Sequence, residues 1–143
     1  MPHRTTAATL LFIAAAVLAP GAMAQQSAND LAALKERAGN YAVDCAKPDR
    51  ARLVVAPEAL SVMQGKKRVD TPKPMFAASY WGRTPPPNAA GAMLGEPARK
   101  GAPGLVFTVW TDKRGTYLQV DADKQLEAVF GKAALAGKFR RCA

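Results

Sequence analysis

Two cysteines, Cys45 and Cys142, bracket most of the hydrophobic sequence of this 143-residue chain, so whether they are joined constrains the fold more than any other feature. The compartment decides it. Residues 1–24 read as a secretory signal: His3 and Arg4 give a basic start, 7-AATLLFIAAAVLAP-20 is an apolar core, and 22-AMA-24 is a small-x-small cleavage site. The apolar run covers about 14 residues and ends in Pro20-Gly21. That is short of the roughly 20 residues a bilayer-spanning helix needs, so an uncleaved anchor fits less well than a cleaved leader. Cleavage before Gln25 leaves no adjacent cysteine for lipid attachment, and the mature chain is expected to be periplasmic or secreted. In an oxidising compartment the two cysteines are expected to pair. On a chain-entropy model, closing so long a loop stabilises the folded state by roughly 4–5 kcal/mol.

Residues 25–143 are expected to form a single α+β domain. With the signal removed, 19 Lys and Arg stand against 11 acidic residues. The surplus is scattered over Lys66-Lys67-Arg68, Arg99-Lys100, Lys113-Arg114 and Arg140-Arg141. It fits a solvated surface, or contact with an anionic partner such as an acidic protein, lipid head groups or cell-wall polymer. Nucleic acid is a poor partner for an exported chain.

Local patterns predict the elements. Residues 27–39 read as a helix with Ser27 as N-cap, Asp30 in the capping-box position and Gly39 as its stop. A strand is expected over 40–45, a strand pair over 52–64 turning at Pro57-Glu58, and a third strand after Gly65. Residues 75–81 are a further strand candidate. Between Thr84 and Gly104 lie five prolines and four glycines in 21 residues, a composition that predicts a loop and argues against a central strand. The segment 105-LVFTVW-110 pairs with 117-YLQV-120 through a four-residue loop, and Trp110 falls on the same face as Val106 and Thr108. A helix starts near Asp121–Asp123 with Leu126, Val129, Phe130 and Ala133 as its apolar face, is interrupted by Gly131 and ends by Gly137. The sum is an antiparallel sheet of five or six strands with an N-terminal and a C-terminal helix, tied by one disulfide.

Chemistry-bearing groups are sparse. The single histidine, His3, leaves with the signal, which removes imidazole triads and histidine-containing zinc sites. Paired cysteines supply no thiol nucleophile. Asp44, Asp49, Asp70, Asp112, Asp121 and Asp123 are the remaining acid–base candidates. Asp121 and Asp123 with Asp112 are the one combination suited to calcium, although helix capping explains the first two more simply. Ser61 and Ser79 lack a lysine at a motif spacing, and no phosphate-cradling glycine loop is present. No enzymatic activity, cofactor or metal is expected.

The aromatics Tyr80, Trp81, Trp110 and Tyr117 either fill the core or present a surface. Tyr80 and Trp81 run into 82-GRTPPP-87, where each proline fixes its own φ and extends its predecessor. A stiff irregular segment inside a compact domain has a low ordering cost on binding. Tyr80, Trp81, Arg83, Arg99 and Lys100 are therefore the candidate binding residues.

The segments 41-YAVDC-45 and 52-RLVVAPEALSVMQG-65, with Cys142, resemble the small periplasmic inhibitors of C-type lysozyme. That resemblance covers about a third of the chain and implies an exported antiparallel β-barrel that shields cells from wall-degrading enzymes. The family's serine-containing inhibitory loop has only a loose counterpart in 77-AASYWG-82, and the helix from Lys124 departs from the pattern, so no inhibitory residues carry over. A cationic chain also meets repulsion from a cationic lysozyme. The expectation is a non-enzymatic envelope protein that binds another protein, an enzyme or toxin attacking the wall or membrane, as an inhibitor or immunity protein. The alternative is attachment to anionic lipid or peptidoglycan.

Overall fold

The computed structural model of the chain describes residues 26–78 and 84–143; the expected signal and residues 79–83 lie outside them. Apolar alternation builds most of what is described. Strand β1 (Gly39–Ala42), β2 (Arg52–Ala56), β3 (Ala59–Gln64) and β4 (Lys67–Pro72) follow one another as antiparallel neighbours. Strand β5 (Met75–Ala77), β6 (Ala89–Gly95), β7 (Leu105–Asp112) and β8 (Gly115–Val120) do the same in a second sheet. A last short strand, β9 (Arg140–Arg141), pairs with β1 to give a five-stranded sheet ordered β4-β3-β2-β1-β9 beside the four-stranded β5-β6-β7-β8.

Continuous chain stitches the sheets together at both seams. Only Lys73 and Pro74 separate β4 from β5, and Lys73 takes a left-handed φ of 48° at that corner. On the other side Phe139 exchanges both backbone hydrogen bonds with Leu118 of β8, at 2.8 and 2.9 Å, immediately before β9 joins β1. The inner faces share one core that includes Leu53, Val55, Val62, Met93, Phe107 and Phe139.

Helices cover the remaining openings. Helix α1 (Ala28–Arg37) has Ser27 and Asp30 in a reciprocal capping box, as its sequence predicts, and buries Leu34. Its stop is Ala38, while Gly39 belongs to β1. The capping carboxylate also accepts a 2.8 Å bond from Phe76 N, fixing α1 to the edge of β5. Just upstream, Gln26 Nε2 donates to the carbonyls of Pro57 and Pro74, each at 2.7 Å. Helices α2 (Lys124–Phe130) and α3 (Lys132–Leu135) meet at Gly131, and Leu126, Phe130 and Leu135 enter the core.

The architecture is thus α+β and antiparallel with a helix towards each end, with nine strands in two sheets among the described residues. The largest departure from expectation is β6, a central strand inside the segment 84–104 that its composition marked as loop. The prolines fall before residue 88 and after residue 96, leaving a proline-free strand between them. Its glycines are structural devices. Gly91, with φ of 139°, sits at a register shift and lies against the Phe76 ring. Gly95 lets β6 pass so close to β4 that a Cβ there would overlap the Thr71 hydroxyl. The β7–β8 connection is also tighter than expected: Asp112 pairs with Gly115, leaving Lys113-Arg114 as a two-residue loop. Strand β1 ends at Ala42, so Cys45 stands in a following turn.

Candidate functional site

The expected disulfide joins Cys45 and Cys142 with their Cα atoms 5.7 Å apart, and no cysteine is free. No helix among the described residues is long and apolar enough to cross a membrane.

Of the five candidate binding residues, Tyr80, Trp81 and Arg83 lie outside the described residues. Arg99 and Lys100 are exposed in the β6–β7 connection, where Ala102 N donates to Arg99 O at 3.1 Å to close a turn. Neither has an ion-pair partner among the described residues. Seven-residue β6 stands between that turn and residue 88, a rise of roughly 20 Å. Arg99 and Lys100 therefore hang at the opposite end of the sheet from Thr84 and are not gathered beside it.

The carboxylates singled out in the sequence are mostly occupied locally. Asp123 caps α2 by accepting from Leu126 N at 2.8 Å. Asp44 folds its own turn by accepting from Ala46 N, and with Lys47 beside it that bond holds its pKa below the ordinary value. Asp70 accepts from Arg68 Nε through both oxygens, at 2.8 and 2.7 Å, and from the Ser61 hydroxyl. The calcium combination does not assemble: Asp112 stands at the β7–β8 turn and Asp121 beyond the far end of six-residue β8. No group of three or more potential ligands is found among the described residues.

Asp112 instead organises a cluster that sequence reasoning missed. It accepts from Lys138 Nζ at 3.0 Å, from Arg140 Nη2 through both oxygens at 3.0 and 2.7 Å, and from Arg114 N at 2.9 Å. The Lys138 ammonium first, then the Arg140 guanidinium and the Arg114 amide, hold its carboxyl far below the usual carboxylate range, against partial desolvation. Both cations also lie over the Tyr117 ring, Lys138 Nζ at 4.5 Å and Arg140 Cζ at 5.3 Å from its centre. The one usable signal was the alternation in 138-KFR-140: with Phe139 inward, Lys138 and Arg140 share the outer face.

That face continues along the hairpin. Trp110 opposes Tyr117, Thr108 opposes Gln119, and Asp121 N donates to Val106 O, so Asp121, Gln119 and Tyr117 follow one another down one side. Between this face and the chain leaving α3 runs an open groove of about 380 Å³, lined by Thr108, Trp110, Gln119, Asp121, Leu135 and Gly137 among others. Trp110 is half-buried on the outer face its spacing predicts, and its indole Nε1–H is buried with no acceptor among the described residues.

Comparison with protein-family models, with curated proteins and with solved structures finds no match to this chain.

Proposed function

We propose that the chain is an exported, non-enzymatic binding protein of the cell envelope that engages an enzyme or toxin acting on the wall or membrane and holds it inactive, as an inhibitor or immunity protein. The observation that carries this reading is the commitment of its reactive groups. Both sulfurs are joined to each other, and the only histidine of the chain is His3. Asp30, Asp44, Asp70, Asp112 and Asp123 are held by caps, turns and ion pairs. Asp49 and Asp121 have no ion pair among the described residues, and the other unpaired charge includes Arg99 and Lys100 between Pro97 and Pro103. Arg99 and Lys100 are, with Tyr80, Trp81 and Arg83, the proposed contacts.

The test is capture from periplasmic extract at low and high salt, followed by titration of the captured enzyme's activity. A protein interface centred on aromatic rings persists at high salt, and activity falls to an endpoint at a fixed molar ratio. The double variant Arg99→Glu with Lys100→Glu weakens capture while leaving the thermal transition in place. The competing reading, attachment to anionic lipid or peptidoglycan through the cationic surplus, predicts binding to vesicles or wall fragments that fades steeply as ionic strength rises. Capture that leaves the activity of the partner untouched, or charge reversal without effect, refutes the inhibitor reading.

A further inference from the structure

We infer that the groove on the outer face of the β7–β8 hairpin is a binding site for a short zwitterionic peptide, its free amine at Asp121 and its free carboxylate at Lys138 and Arg140. The groove volume, about 380 Å³, falls within the range typical of small-ligand clefts. Opposite charges stand along this face, one in the groove and the other just beyond it. Asp121 lines one end, and its carboxylate has no ion-pair partner among the described residues. Outside the groove's lining, over Tyr117, the strand partner of Trp110, two cations face the single carboxylate of Asp112, and Lys113 and Arg114 stand exposed on the adjoining turn. A ligand carboxylate there meets an excess of positive charge, already ordered over the Tyr117 ring.

Spacing sets the length of the ligand. Tyr117 and Asp121 are four strand residues apart on one face, about 13 Å, which an extended peptide of three or four residues spans. Between the two charged positions the floor offers Thr108 and Gln119 for hydrogen bonding to a peptide backbone, and level with the cations the flat indole of Trp110 is available for its side chains. The site is separate from Arg99 and Lys100 and does not depend on the partner proposed above.

Tetra-alanine with free termini, its N-acetylated form and its C-amidated form are the probes. They are titrated into the disulfide-bonded protein carrying Trp81→Phe, so that emission reports Trp110. The free peptide is expected to shift the emission saturably, and blocking either terminus to weaken binding about tenfold, the scale of one charge-assisted hydrogen bond. In Asp121→Asn the penalty for acetylation disappears while that for amidation remains; in Lys138→Gln the reverse holds. A single cooperative thermal transition shows that both variants are folded. The proposal is overturned if no peptide shifts the emission, if all three titrate alike, or if each penalty survives its matching substitution. Failure to capture a partner protein leaves these titrations unaffected, so the two ideas fail separately.

Discussion

Asp112 shows how much a residue can do that its local sequence conceals. Within 111-TDKRGT-116 it reads as a turn former, and it does accept from Arg114 N. Its larger role is tertiary, tying the β7–β8 turn to Lys138 and Arg140. Because its folded pKa is depressed, its contribution to stability is complete above the unfolded value near 3.8 and is lost as pH falls towards the folded one. Asp112→Asn should therefore lower the denaturant midpoint at neutral pH and flatten its decline below about pH 4, which urea titrations across that range would check. Gly95 is a second such residue. Its neighbour Thr71 belongs to a different sheet, so nothing in the sequence around 95 announces the contact. Gly95→Ala should cost about 1–3 kcal/mol by overpacking, seen as a lower unfolding midpoint with an unchanged denaturant slope.

Among the elements, legibility follows the range of the forces that set them. Helix α1 is announced by its own capping box, and β2, β3, β7 and β8 by alternation against one core. Strand β6 is not, because Ala89, Ala90, Ala92 and two glycines carry little propensity of their own, and only pairing on both sides makes them a strand. The candidate site divides in the same way. Arg99 and Lys100 are legible as exposed cations, whereas the groove needs the β7–β8 register and the return of the chain from α3 to exist at all. Asp30 belongs to both classes, a local cap whose second oxygen holds β5. Asp30→Ala should cost about 1–2 kcal/mol, with hydrogen exchange accelerating at the Phe76 amide as well as in the first turn of α1. If exchange rises only in α1, the link to β5 carries no weight.

At the scale of the whole molecule, the disulfide closes a span of 97 residues and so acts on nearly the entire chain. Opening it should lower the unfolding free energy by roughly 4–5 kcal/mol, a large share of what a domain of this size possesses. Denaturant titrations of Cys45→Ser with Cys142→Ser against the oxidised protein would measure this. An unchanged midpoint would mean that backbone pairing of Arg140 and Arg141 with β1 alone holds the tail.

The position of that tail has a consequence for how the chain is made. The strand lying between β1 and β8 follows both of them in the sequence, so it leaves the ribosome after they do. Until residues 139–142 arrive, both flanking strands present bare edges that a chaperone can hold and a neighbouring chain can misuse. Final locking therefore waits on residues 139–142, and deleting only these few is expected to leave the protein prone to aggregate.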